Sequence, residues 1–543
     1  MSDIAASRQG LGSPGSGDRH SGGPRHWATV PVFALLLVCG LGYAVYGLVA
    51  DMQDAGSSPL AIGAFLLLGI ALLIALGFEF VNGFHDTANA VATVIYTNSL
   101  PPTIAVVWSG FFNFLGVLTS SGAVAYAIIA LLPNDLVLNV GSGAGFAMIF
   151  ALLLSAIGWN LLTWWFGIPN SSSHALIGSV IGVGLANQLM APAGHPTAGV
   201  QWGAAIGVLK GLLFSPVAGF VLAALLLLIM KAVIRSKKLY EAPEGRNPPP
   251  LWIRAILVLT CTSVSFAHGG NDGQKGMGLI MLILIGVAPT AFALNRTVPE
   301  SHTPTFVAAS KNAAAVFDAH AAQDATKVEA AEARQRVDDA LNKKTISSPE
   351  AFAALSTLAH TIADEVHSYG AFSRVPAAES ANIRNDMYLT DAAVTALAKN
   401  PGSLSADETK TLKAYKAELE QGTRFIPTWV KVSVAIALGL GTMVGWKRIV
   451  TTVGERIGKT HLSYAQGAAS EIVAAATISM AEVWGLPVST THILSSGVAG
   501  TMVAQGSGLQ RSTIVKLASA WILTLPVAIA LSGLLFFVFR EIF

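Results

Sequence analysis

Long apolar stretches, nearly free of charge, fill most of this chain. They run at roughly 27–50, 60–97, 104–132, 145–168, 174–192, 203–233, 255–291, 428–446, 462–486, 490–506 and 512–538. About 20 apolar residues suffice to cross a bilayer as a helix, so most of these stretches read as membrane helices. Two of them, 60–97 and 255–291, are far longer than one crossing needs. Each carries a polar cluster in its middle, "NGFHDTANA" (82–90) and "HGGNDGQKG" (268–276). Polar groups at membrane depth are costly, and irregular backbone there is tolerated only where it lines a cavity. Both stretches are therefore expected to hold broken helices.

The pattern changes between 296 and 427. Nearly half of all the charged residues fall in this stretch, acids outnumbering bases, with many alanines. Amphipathic pieces such as "ATKVEAAEARQRVDDALNKK" predict a soluble, mostly helical inserted domain, and no catalytic motif stands out in it. The expected organisation is a disordered Gly/Ser/Arg-rich tail (1–26) and an extra transmembrane helix (27–50). A first transmembrane repeat and the start of a second follow (51–295), then the insert (296–427) and the remainder of the second repeat (428–543).

Composition agrees: of 543 residues, 53% are hydrophobic and only 12% charged, against about 25% charged in soluble domains. The two cysteines, Cys39 and Cys261, both lie in apolar runs, which excludes a disulfide framework or a cysteine metal site. A net charge of +2 carries no sign of nucleic-acid binding.

The chain repeats itself. "NGFHDTANA" aligns with "HGGNDGQKG", setting Asn82 on His268, His85 on Asn271, Asp86 on Asp272 and Asn89 on Lys275, at an offset of 186. "GIPNSSSHALIG" (167–178) aligns with "GLPVSTTHILSS" (485–496), setting His174 on His492 at an offset of 318. The difference, 132, is the length of the charged stretch. Basic loops flank spans at "KAVIRSKKLYEAPEGR" with Arg254 and at "WKRIVTTVGERIGK", and both are expected in the cytoplasm. Counting crossings from there puts the N-terminus inside, the insert outside and the two halves in opposite orientation. Inverted repeats with a site near the midplane are the expected architecture.

Ser171–Ser172–Ser173 and Ser489–Thr490–Thr491 each follow a proline and precede an apolar helix. Hydroxyls and free N–H groups at a helix N-terminus form an anion cradle, and two of them can wrap a tetrahedral oxyanion. The alternative is that these hydroxyls only bond their own or a neighbouring helix. The Asp/Asn clusters suit a hard cation or a proton relay, or else a structural network. Glu471, Glu79 and Glu482 are weaker candidates. His85, His174, His268 and His492 lie in the motifs, but no spacing supports a zinc site, so hydrogen bonding or proton relay is expected of them. Lys275 stands where the first repeat has Asn89, either as a charge beside the anion or as a partner of Asp272.

"NGFHDTANAVATVIYT", "SFAHGGNDGQKGMGLIM", "PNSSSH" and "PVSTTH" closely resemble the inorganic phosphate transporter (PiT) family, most of all its bacterial low-affinity, proton-linked branch. The likeness covers about 60–295 and 428–540. It implies an all-α polytopic membrane protein with inverted repeats, broken helices and two re-entrant hairpins. It also implies symport of phosphate with a cation by alternating access, in some members as a neutral divalent metal–phosphate complex. On it, Ser171, Ser172, Ser173, Ser489, Thr490 and Thr491 would hold phosphate. Asp86, Asn89, Asn271 and Asp272 would hold the coupling cation or proton, with Asn82, His85, His174, His268, Lys275, His492 and Glu471 accessory.

Many members read Gly-Ala-Asn-Asp-x-x-Asn-Ala in both repeats, whereas here the first reads Gly-Phe-His-Asp and the second carries Gln274–Lys275. Losing an amide and gaining an ammonium disfavours a sodium site and favours protons. No cofactor is expected, a homodimer is a reasonable assembly, and the location is the bacterial inner membrane with the insert in the periplasm. The alternatives are sodium coupling, and sulfate or arsenate as substrate. An intramembrane Ser/His hydrolase is disfavoured because no G-x-S-x-G occurs and Ser173 and His174 diverge at a helix start. A passive receptor is disfavoured by the paired motifs.

Overall fold

A computed structural model describes residues 26–57, 60–191, 199–243, 245, 247–321, 328–399 and 404–543, without the side chains of 26–30, 87–89 and 135. The tail expected over 1–26 thus lies almost wholly outside the described residues. Those residues are helical, with no strand beyond one isolated bridge between Gly458 and Leu509.

The first half comprises α1 (His26–Asp54), α2 (Ile62–Tyr96), α3 (Pro102–Thr119), α4 (Ala123–Ile129), α5 (Asn134–Leu138), α6 (Gly143–Trp165), α7 (Ser172–Leu189) and α8 (Trp202–Val233). There follow α9 (Leu251–Val287), α10 (Pro289–Phe292), α11 (Thr303–His320), α12 (Ala330–Lys343), α13 (Pro349–Tyr369), α14 (Ala377–Leu397) and α15 (Ala406–Thr423). The chain closes with α16 (Thr428–Thr442), α17 (Lys447–Thr451), α18 (Tyr464–Val483), α19 (Thr490–Gln505) and α20 (Arg511–Arg540).

Among the described residues seven helices are long and apolar enough to cross a membrane: α1, α2, α3, α6, α8, α9 and α20. The pair α15–α16, bent by 75°, adds at most one more. Large side chains on the outer faces of these helices, such as Leu66, Phe111, Leu213 and Ile522, are exposed, as lipid-facing residues would be. The chain is a polytopic helical membrane protein.

The expectation of broken helices in 60–97 and 255–291 is not met. Both polar clusters lie within continuous helices, α2 and α9. The reason is that many of the polar side chains find partners on their own helix or on neighbouring elements, so no break in the backbone is needed to satisfy them. The interruptions lie next door, between α6 and α7 and between α18 and α19. There Gly167 (φ 63°) and Gly485 (φ 65°) adopt the left-handed conformation that ends a helix, two residues before Pro169 and Pro487. At each turn two N–H groups return to the last helical carbonyls: Gly167 to Trp164 (2.9 Å) and Ile168 to Thr163 (3.0 Å), Gly485 to Glu482 (3.0 Å) and Leu486 to Ala481 (2.8 Å). The short helices α7 and α19 then pack back on α6 and α18, almost wholly buried, with α20 and α8 against them.

Glycines set the closest helix crossings. Gly83 of α2 lies so near α16 that a Cβ would stand 2.2 Å from the Leu438 carbonyl oxygen. Gly269 of α9, its partner in the sequence alignment, would put one 2.1 Å from the Asn113 carbonyl oxygen of α3. Because backbone cannot yield as a side chain can, Gly83→Ala is expected to cost about 1–3 kcal/mol. Detergent-extracted protein should show a lower unfolding temperature and a smaller monodisperse fraction on size exclusion. An unchanged midpoint would mean that the crossing is looser than this.

Helices α11–α15 enclose an apolar core of their own, including Phe306, Phe317, Leu355, Ile383, Leu397 and Tyr415. Its two ends are pinned together where Asn295 N–H donates to Gly422 O (2.8 Å) and Asn295 Nδ2 to Gln421 O (2.9 Å).

Candidate functional site

Ser171 and Ser489 cap α7 and α19, their Oγ atoms accepting the N–H groups of His174 and His492 at 3.1 Å each. The residue after each cap begins a helix whose N-terminus carries positive partial charge. Both ends converge on one carboxylate. Ser172 Oγ donates to Asp86 Oδ2 at 2.6 Å, and Thr491 Oγ1 donates to Asp86 Oδ1 at 2.6 Å. A chain separation of 405 residues closes through a single side chain.

The six hydroxyls thus divide. Two cap helices and two hold Asp86. Ser173 Oγ donates to the Val488 carbonyl (2.6 Å), tying one hairpin tip to the other. Thr490 Oγ1 is buried without a hydrogen-bond partner among the described residues. Aligned positions take different roles: Ser172 bonds Asp86 while its counterpart Thr490 does not, and Thr491 bonds Asp86 while its counterpart Ser173 does not. The tips are matched in sequence and asymmetric in contact.

His85 steadies Asp86 from behind. Its Nδ1 lies 3.2 Å from Asp86 Oδ1, and its Nε2 lies 3.2 Å from Thr163 Oγ1 of α6. On α9, Lys275 Nζ forms an ion pair with Asp272 Oδ2 at 2.8 Å, and His268 Nε2 lies 3.4 Å from the same oxygen. His268 Nδ1 in turn meets Asn113 Oδ1 at 2.7 Å. Ligand atoms of Asp86, His268 and Asp272 all lie within 4.8 Å of one another, so the two aligned aspartates meet in one place. Asn271 Nδ2 donates to Leu486 O at 3.1 Å, while its Oδ1 has no partner among the described residues. The Asn89 side chain lies outside the described residues.

The rings of His174 and His492 lie tilted against each other with centroids 4.6 Å apart, and His492 lies 4.2 Å from the Trp521 ring. His174 Nδ1 is 2.8 Å from Ser171 Oγ, the helix-capping hydroxyl rather than a free nucleophile. Asn82 turns away from this centre toward Glu79, donating from Nδ2 to Oε2 at 3.3 Å.

Glu79 was undervalued by sequence reasoning. It is fully buried, and its Oε1 accepts the Gly276 N–H at 2.6 Å, one residue beyond Lys275. Glu471 is equally buried, accepting from Thr93 Oγ1 and, at 2.5 Å, from Thr260 Oγ1. Both stand inside apolar helices, and burial depth is the property that a linear pattern does not give. Gln274 is structural: its Oε1 accepts the Val124 N–H (2.8 Å) and its Nε2 donates to Gly270 O (2.7 Å).

The arrangement is a buried cluster in which two helix N-termini and several hydroxyls face acids with one fixed ammonium. Such a cluster can exchange an anion against its own carboxylate. The profile described as the phosphate transporter family matches residues 82–532, from the first motif through the second hairpin and into α20. The chain belongs to this family. The transporter is 42% identical over 495 residues to the low-affinity inorganic phosphate transporter PitA of Escherichia coli K12, covering 86% of this chain and 95% of that protein. It is 39% identical over 500 residues to PitB of the same organism, covering 88% and 98%. A solved structure titled "The sodium-dependent phosphate transporter" aligns at 18% identity with a TM-score of 0.47, covering 88% of this chain and 100% of that one. That likeness bears on neither fold nor coupling ion.

Proposed function

We propose that the transporter imports inorganic phosphate together with protons, exposing one site alternately to the two sides of the inner membrane. The observation that carries this reading is Asp86, held by one hydroxyl from each hairpin at the N-termini of α7 and α19. A carboxylate so placed occupies the cradle that a phosphate oxygen would use. When phosphate arrives it takes the Ser172 and Thr491 donors, with Thr490 free to add a third. Asp86, stripped of its donors and beside Asp272, then needs compensating positive charge. A proton supplies it, so phosphate and proton load together.

Lys275 takes the part that a bound cation plays elsewhere. Asp272 pairs with this ammonium and lies beside Asp86, so two carboxylates share one fixed cation. The donor set of Asp86, His268 and Asp272 also suits the divalent metal of a neutral metal–phosphate complex, carried as cargo. The insert then faces the periplasm and the N-terminus the cytoplasm.

Reconstituted vesicles test the coupling. Acid outside at zero sodium should stimulate phosphate uptake severalfold, while an inward sodium gradient at equal pH should not. Stimulation by sodium with no response to ΔpH would overturn proton coupling and restore the sodium reading. The Asp86 cradle would stand in either case.

A further inference from the structure

Away from the hairpins, a cavity of about 600 Å³ lies between the membrane bundle and helices α12, α14 and α15. Tyr126, Gln188, Gln201 and Trp202 line it from the bundle side. The opposite wall brings six cations to one place, Lys343, Lys344, Arg384, Lys399, Lys416 and Arg424, against one lining acid, Asp391. The clustering is not compositional, since acids outnumber bases over 296–427.

Half of these cations are already neutralised. Lys416 Nζ lies 2.6 Å from Asp391 and 2.6 Å from Glu420, and Arg424 pairs with the same two acids at 3.0 Å each. Lys343 pairs with Asp339 at 3.2 Å. Arg384, Lys344 and Lys399 form no ion pair among the described residues.

Arg384 is the telling one. It is only 5% exposed, and its Nη1 donates to Val137 O (3.3 Å) and Asn385 Oδ1 (3.1 Å). Its guanidinium carbon lies 5.0 Å over the Tyr388 ring. Burial pulls the guanidinium below the ordinary arginine range. Buried charges are paired, and a guanidinium left with spare donors at the wall of a cavity is matched by an oxyanion, bidentately where the anion is a phosphate.

We propose that this cavity is a second anion site, holding a phosphate group on Arg384 with Lys344 and Lys399 closing around it. The phosphate group comes from free inorganic phosphate or from the headgroup of an anionic phospholipid, and both present the same oxygens. The site does not depend on the transport mechanism above, because it shares no residue with the Asp86 cradle.

The test uses full-length protein carrying Ser172→Ala and Thr491→Val, which silences the cradle. Equilibrium binding of radiolabelled inorganic phosphate reads the first source. Native mass spectrometry of protein purified with and without added phosphatidylglycerol reads the second. Either about one phosphate per chain or one retained phospholipid is expected. Occupancy should weaken tenfold or more in Arg384→Met and in the exposed pair Lys344→Ala/Lys399→Ala. The paired variant guards against misfolding of the buried one. If neither ligand binds, or if both variants bind as the parent does, the proposal is overturned.

Discussion

Asp86→Asn should lower concentrative phosphate uptake on the order of a hundredfold while the protein still folds. The side chain keeps its size, and an amide oxygen still accepts from Ser172 or Thr491, so the hairpin tips remain joined. What it loses is charge. Two charge-assisted hydrogen bonds at roughly 1.5–3 kcal/mol each are reduced to neutral ones, and the carboxylate proposed to take up the proton is gone. The pH dependence of uptake in vesicles should flatten at the same time. A variant with wild-type uptake and an unchanged pH profile would remove Asp86 from the site altogether.

Lys275→Met should destabilise the transporter by about 3–5 kcal/mol, because it leaves Asp272 buried beside Asp86 without its ion-pair partner. The double variant Asp272→Asn/Lys275→Met removes both charges and should recover most of that stability, since a buried pair is worth little over a neutral one of similar shape. Uptake should stay low in the double variant even as its unfolding temperature returns. If stability and uptake recover together, Lys275 serves only to neutralise Asp272. If the single variant is as stable as wild type, the ammonium is not the counter-charge that the 2.8 Å contact implies.

Much of this was legible beforehand. Hydropathy marked the helices, and the change in charge at 296 marked the segment that builds its own core around Phe306, Leu355 and Tyr415. The "PNSSSH" and "PVSTTH" runs announced helix N-termini, and Ser171 and Ser489 are caps. The misreading concerned where the backbone breaks. A polar cluster inside an apolar run signals a need for partners, and that need can be met by irregular backbone or by a neighbour. Here α7 and α19 meet it for Asp86 on α2, while the α9 cluster pairs within its own helix and with Asn113 of α3. The meeting of Ser172 and Thr491 on one carboxylate, and the burial of Glu79, depend on helices hundreds of residues apart. Only the three-dimensional packing shows them.

The glycine crossings bear on how the chain is made. Gly83 seats α2 on α16, and Gly269 seats α9 on α3, so each half holds the other's innermost helix. Until residue 442 has left the ribosome, α2 can pack on α3, α6 and α9 but lacks the Gly83 crossing with α16. At roughly 5–20 residues per second that delay is on the order of tens of seconds, and the whole charged segment is synthesised within it. Asp86 waits longer still for Thr491, while α11–α15 can already gather around their own core. The contact of Thr491 with Asp86 therefore forms late in biogenesis, and a chain truncated before α19 lacks it.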